Sequence, residues 1–507
     1  MATWDEALAT VVTLDAELTR RDPLLRFYDS YYRGEHRLAF ASEKFRSAFG
    51  RLFAHGWADN WSQLVVDAVE ERLNIEGFRL AEGEQADKDA WRIWQANDLD
   101  AESQMLHTDT LIGGRGFVSV WASDDPETPD VCVEHATQMV VSYRAGTRQR
   151  TAALKRILGE DGHVWATLFL PDEVWRFRQR ERVSTLGLTV DAPGSLAHMW
   201  RPSQLPAEVG SVQAQAWELL DDGMPNPVPN PLGEVPVVEL RNRPRIVADP
   251  ESEIATIVPI QDAVNKLVAD MLVAAEFAAF RQRWVTGMEI PTDPVSGQPV
   301  EPFKAAVDRL WVHEDPQTRF GEFSATDLTN FVGAVEMLIQ HIASQTRTPP
   351  HYFYLRGSFP SGESLRAAET GLVAKCRRRM TPWSEAWEQV MRLAGRAAGN
   401  AGLANAVDME TIWADPESRT ESEHTDAVLK MSSMGVPKRG LWELLGFSPQ
   451  QIERYEQWAR AADTTGALLD TLLKQGQPPA APAAAGPPSV AAMTATMGNG
   501  AGQPAGL

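Results

Sequence analysis

The sequence predicts an α+β fold, mostly helical, with an antiparallel sheet region in its N-terminal half. Three observations carry that reading. Between residues 115 and 179 the chain is cut into short runs rich in β-branched and aromatic residues. After Glu251 the apolar residues recur every three or four positions. The stretch Thr346–Met380 opens on Pro349-Pro350, crosses a Gly/Ser/aromatic loop and enters a helix longer than a small core requires.

The first hundred residues read as helical. Asp22-Pro23 is a cap and first-turn pair opening LLRFYDSYYRG, and further helices are expected over 60–73 and about 86–96. Strands are expected at 115–122, 131–135, 138–143, 164–171 and 173–179, separated by Gly, Pro and Asp clusters. A Pro-rich loop, 221–236, precedes a strand at 235–242. Gly113-Gly114-Arg115-Gly116, at the first change from helix to strand, reads as a turn rather than a phosphate cradle.

From Glu251 a helix places Ile257, Val264, Leu267, Met271, Leu272, Ala275 and Trp284 on one face, with Pro259 permitting a kink or a second start. A polar insertion, 286–325, separates it from a second helix, Leu328–Thr346. The long helix then carries Leu365, Ala368, Leu372, Cys376, Met380, Trp383, Trp387 and Met391 as one stripe. From Gly362 to Leu393 it spans roughly 45 Å at about 1.5 Å per residue, with a kink at Pro382 or a restart capped by Thr381. An acidic patch (Glu410, Asp415, Glu417, Glu421, Glu423, Asp426) and short helices run to about Lys474. Residues 477–507 lack the apolar content to fold.

The length of 507 residues suggests roughly two to four domains. The 17 tryptophans are expected as core and interface anchors. A net charge of −21 argues against tight, salt-sensitive nucleic-acid binding, yet suits a wall past which DNA slides without sticking. Cys132 and Cys376 form no framework and are expected to pack as small apolar residues in a reducing compartment. No basic leader and no apolar run of membrane-spanning length is visible, so a soluble product made inside cells is expected, with no membrane partner.

No phosphate loop, dinucleotide fingerprint, zinc signature or nucleophile elbow is present, and no cofactor or metal is expected. His341 and His351 are read as surface or interface residues. An acid/base carboxylate pair stays open in so acidic a chain, which keeps a Trp-rich hydrolase acting on a polysaccharide as an alternative. Basic residues cluster once, at Lys375, Arg377, Arg378 and Arg379. Three adjacent arginines point around most of a helix, which favours solvated or inter-subunit salt bridges over phosphate contact.

The ordered set YYRGEHRL, NWSQLVVDAVEERLNIEGFRL, WQANDLDAESQMLHTDTLIGGRGFVSVW, VPVVELRNRPR, IVPIQDAV, TPPHYF with SGESLRAAETGL, and MGVPKRGLWELLGFSPQQIERY resembles the tailed-bacteriophage portal proteins. It is closest to the Gp6-like portal family of phages of Gram-positive hosts, over about residues 20–470. The resemblance implies a non-enzymatic, multidomain portal fold and a homo-oligomeric, twelvefold ring at one capsid vertex of the virion, assembled in the host cytoplasm. Double-stranded DNA would pass through its channel, without sequence preference, during packaging and ejection. The terminase large subunit, the major capsid or scaffolding protein and head–tail adaptors would dock on it. Another head–tail connector or minor capsid protein is the alternative within the same class.

The layout implied is a wing over 1–250, a stem helix over 251–285, a clip over 286–325 and a second stem helix over 326–346. A tunnel loop over 347–362, a long wing helix over 363–410, a crown over 411–475 and an unfolded tail over 476–507 complete it. The DNA-facing residues of the loop would be Tyr352, Phe353, Tyr354, Leu355, Arg356, Ser358 and Phe359. With Arg356 the one arginine or lysine between 351 and 362, the loop resembles a steric collar more than an electrostatic clamp.

Overall fold

The computed structural model describes residues 2–40, 58–80, 87–159, 161–182, 216–279, 283–287, 316–322, 327–353, 362–417 and 428–462, with a few isolated positions besides. The tail 476–507, most of the 286–325 insertion and Tyr354, Leu355, Arg356, Ser358 and Phe359 lie outside them.

Helix α1 (Trp4–Tyr32) starts where Thr3 and Glu6 close a capping box, each side chain bonded to the other's backbone N–H. The expected start at Asp22-Pro23 is therefore wrong: the helix runs through Pro23. Asp22 stays inside it and accepts from Arg26 at 2.6 Å, one turn on. Ala7, Val11, Leu14 and Leu18, spaced one turn apart, are buried against the larger sheet. Inside that contact Asp15 and Arg156 form a buried ion pair at 2.5 Å.

Short helices α2 (Ser62–Glu70), α3 (Lys88–Ala96) and α4 (Leu99–Gly113) follow, with strand β1 (Ile75–Arg79) after α2. Gly114 ends α4 at φ +84, and an added Cβ there would sit 2.9 Å from the Pro250 carbonyl oxygen, so the Gly-rich run is a turn. Strands β2 (Arg115–Trp121) and β3 (Asp130–Glu134) pair antiparallel, and β10 (Val237–Arg241) joins β2 on its other side.

A second sheet is an antiparallel meander of β4 (Met139–Tyr143), β5 (Arg150–Leu158), β6 (His163–Phe169) and β7 (Glu173–Arg182). It is extended by β8 (Trp217–Leu219), while β9 (Val228–Pro229) also pairs with β7. The strand β5 has no counterpart in the sequence reading. Ala152, Ala153 and Leu154 favour helix locally, but pairing on both edges overrides that preference.

Helix α5 (Val258–Ala279) begins at Pro259's own turn, so this proline marks a start rather than a kink. Strands β11 (Arg283–Thr286) and β12 (Arg319–Glu322) pair antiparallel and connect α5 to α6 (Thr329–Thr346). Helix α7 (Gly362–Ala397) runs unbroken through Pro382. Thr381 is not a cap; its hydroxyl donates back to the Arg377 carbonyl at 3.3 Å. Its stripe is buried from Leu372 through Cys376, Met380, Trp383 and Trp387 to Met391, whereas Leu365 is half-buried and Ala368 exposed. Trp383 donates to the Arg241 carbonyl at 3.0 Å and Trp387 to His107 Nε2 at 3.1 Å, so the indoles are satisfied where they pack.

After the short α8 (Ala401–Ala404), β13 (Glu410–Trp413) returns to pair with β1, tying residues far apart in sequence. Helix α9 (Lys438–Leu444) closes the described part of this unit, which spans Met1–Pro449. The second compact unit, Gln450–Leu507, is described for most of helix α10 (Pro449–Ala462) alone, where the Tyr455 and Trp458 rings lie 5.7 Å apart. Cys376 is buried as expected, but Cys132 is exposed on β3, an outward position of its strand.

Candidate functional site: a fixed turn between long helices

Helix α6 ends at Arg347, whose φ of +56 turns the chain sharply. The Thr346 hydroxyl donates to the Ile342 carbonyl at 2.8 Å and accepts from the Thr348 hydroxyl at 2.9 Å at the buried end of the helix. Pro349-Pro350 then start a 3-10 turn, Pro350–Phe353. Lys375 of α7 donates to the Thr346 carbonyl at 2.9 Å and fixes the turn to the long helix.

The turn that precedes residue 354 is thereby fixed to α7. On the near side Phe353 is 5% exposed and packs on Trp61 at 5.5 Å between ring centroids. The Tyr352 hydroxyl accepts from Arg72 at 2.8 Å, and Arg72 also donates to the Pro416 carbonyl at 2.6 Å. Glu369 of α7 lies 3.5 Å from both Arg72 and His351. Tyr352 and Phe353, assigned above to the DNA-facing set, are thus turned inward and hold the base of the loop. Beside this base, Ile339, Ala343, Pro349, Pro350 and Ala368 line a cavity of about 1010 Å³ between α6 and α7.

The basic run on α7 divides by helical spacing. Lys375 and Arg379, one turn apart, face inward and clamp Glu253 at 2.6 and 2.7 Å. All three are buried, so Lys375 and Arg379 are committed within the chain and leave the inter-subunit set. Burial pushes the Glu253 carboxyl up, but the adjacent Lys375 and Arg379 charges outweigh it and hold the group at about 2. Arg377 is exposed, 3.5 Å from Asp415 and 3.6 Å from Glu417, and Arg378 is exposed beside it.

His351 is half-buried and His341 exposed, and among the described residues no group of three His, Cys, Asp or Glu side chains could hold a metal ion. Arg72, Trp61 and Glu253 were not singled out by sequence reasoning. Each meets its partner across more than a hundred residues, and no local pattern marks such a pairing.

The outer halves of α5 and α6 complete the picture. Beyond Ala269 no described residue of α5 is buried, although Met271, Leu272, Val273, Ala274 and Ala275 follow. In α6 no residue before Ile339 is buried, although Phe331, Val332, Val335 and Met337 lie there. Among the described residues no helix is long and apolar enough to cross a membrane.

An α+β body that carries a pair of long helices with apolar side chains exposed or only half-buried is an architecture for presenting surfaces. The phage portal protein family, SPP1 Gp6-like, matches residues 13–465, and the chain belongs to that family. The portal protein of Mycobacterium phage D29 is 29% identical over 472 residues, covering 89% of this chain and 88% of its relative. That of Mycobacterium phage L5 is 29% identical over 483 residues, covering 90% of each. Among solved structures, the neck of an empty GTA particle contains a chain with a TM-score of 0.45 and 12% identity, covering 82% of this chain and 96% of that one. A likeness at that level adds nothing to the assignment.

Proposed function

We propose that the protein is the non-enzymatic portal of a tailed phage. It forms a closed homo-oligomeric ring at one capsid vertex, assembled in the host cytoplasm, through which double-stranded DNA is packaged and ejected. The terminase large subunit, the capsid or scaffolding protein and head–tail adaptors dock on it. Family membership supports this reading, and one observation in the chain carries it. Along the outer halves of α5 and α6 Leu272 and Met337 are exposed, and Met271, Val273, Phe331 and Val332 are only half-buried among the described residues. Apolar helix faces of that length gain by self-association, at about 25 cal/mol per Å² removed from water. Copies arranged around an axis supply that cover in a closed ring.

In this reading α5 and α6 are the stem, β11 and β12 are the base of the clip, and α7 belongs to the wing. Residues 354–361 form the tunnel loop, with Tyr354, Leu355, Arg356, Ser358 and Phe359 facing DNA while Tyr352 and Phe353 anchor it. Arg377 and Arg378 remain to contact a neighbouring subunit. The acidic composition keeps phosphates from adhering to the wall. The test is to replace residues 354–359 with a Gly/Ser linker. Rings should still assemble, and packaging or retention of DNA should fall. Unchanged packaging refutes the role of the loop, and loss of the ring makes the segment structural.

A further inference from the structure

A second cavity, of about 700 Å³, shares Arg347 in its lining with the cavity between α6 and α7. Six basic side chains line it: Arg243, Arg245, Arg347, Lys375, Arg378 and Arg379. Three carboxylates face them. Glu253 is consumed by Lys375 and Arg379, and Glu251 sits 3.8 Å from Arg243, while Glu385 lines the wall. Among the described residues Arg245, Arg347 and Arg378 have no carboxylate within ion-pair distance. A concentration of cations in a concave site, on a chain of net charge −21, calls for an anion.

Two further observations mark the rim as a contact surface. Of four non-glycine residues with positive φ among those described, Arg243 (+49) and Arg347 (+56) both line this cavity. That backbone suits glycine, and side chains are retained there when they have work to do. Directly after Arg245, Ile246 and Val247 are 102% and 95% exposed, an apolar pair that no described residue covers.

We propose that this cavity receives a carboxylate-bearing segment of a second copy of the chain, as one side of the contact between adjacent subunits. The inference rests on the portal reading above, since a ring joins two different faces of the same subunit. A neighbouring copy brings carboxylates by composition, and its approach would cover Ile246 and Val247. Duplex DNA fits less well: Lys375 and Arg379 are recessed, at 5% and 7% exposure, beyond reach of a convex phosphate row.

The test uses the full chain and follows ring dissociation on dilution by mass photometry and native mass spectrometry. Arg378→Glu, at an exposed position, should raise the dissociation concentration at least about tenfold. Arg347→Gly relieves the positive φ, so the dissociated chain should melt at the same or a higher temperature while its rings weaken. Stability and assembly then move in opposite directions, which a purely structural arginine would not produce. An Arg378→Lys variant treated with carbodiimide should crosslink position 378 to an Asp or Glu of another copy. Variants that assemble like the wild type, or crosslinks confined within one chain, overturn the proposal. So does a ring that persists in the variants while salt-sensitive binding of a short duplex is lost, since the site would then recognise phosphate. A wild-type chain that stays monomeric refutes the portal reading itself and this contact with it.

Discussion

Glu253→Gln tests the buried clamp that joins the segment before α5 to the long helix α7. Glu253 is 3% exposed and bonded to Lys375 and Arg379 at 2.6 and 2.7 Å, so the amide keeps the shape and removes the charge. Two buried cations are left without a counter-charge, which costs about 3–5 kcal/mol. The carboxyl gives a consistent figure. Held at about 2 against an ordinary 4.5, it contributes about 3 kcal/mol at neutral pH. Unfolding a unit of 449 residues carries an entropy of about 0.9 kcal/mol per K, so the melting temperature should drop by about 4 °C. Because the folded group titrates below the unfolded one, its contribution is complete above pH 4.5 and is lost as the pH falls towards 2. Melting curves of wild type and variant should therefore lie apart at pH 7 and converge at low pH. Adding Lys375→Met to the variant should recover at least half of the loss by removing one stranded cation. Equal melting temperatures at pH 7, or a difference independent of pH down to 3, would refute the clamp.

Two other perturbations bear on the core beneath α7. His107 is fully buried; burial pulls its imidazole down to about 3 against the hydrogen bond to the Leu73 carbonyl. Its stability is whole above pH 6.5 and drains as the pH falls, so about 3 kcal/mol should be gone by pH 4 and His107→Phe should flatten that slope in urea titrations. Gly116→Ala would place a Cβ 2.3 Å from Thr110 Oγ1 and 2.6 Å from Leu106 Cδ1, and chemical denaturation should report a loss of about 1–3 kcal/mol.

Much of the fold was legible because its elements carry their own period. The strands β2, β3, β4, β6, β7 and β10 alternate or run in β-branched residues, and α5, α6 and α7 repeat every three or four. What escaped depends on distant partners. Strand β1 is defined by pairing with β13, more than three hundred residues on, and β5 by its place between β4 and β6. Pro23 resembled a helix start because the capping box at Thr3 and the burial of Ala7 to Leu18 hold the helix together on its N-terminal side. At the site, helical geometry alone separates Lys375 and Arg379 from Arg377 and Arg378. The identity of their partner, Glu253, does not follow from any local pattern. The same holds for Tyr352 and Phe353, whose aromatic character suited a DNA-facing loop equally well until Arg72 and Trp61 were placed beside them.

Electron microscopy of the purified full chain tests the portal reading most directly. The account predicts closed rings of identical subunits, with α5 and α6 packed against their neighbours and a central channel wide enough for duplex DNA. A monomer, or an assembly in which the outer halves of α5 and α6 remain exposed to solvent, would contradict it.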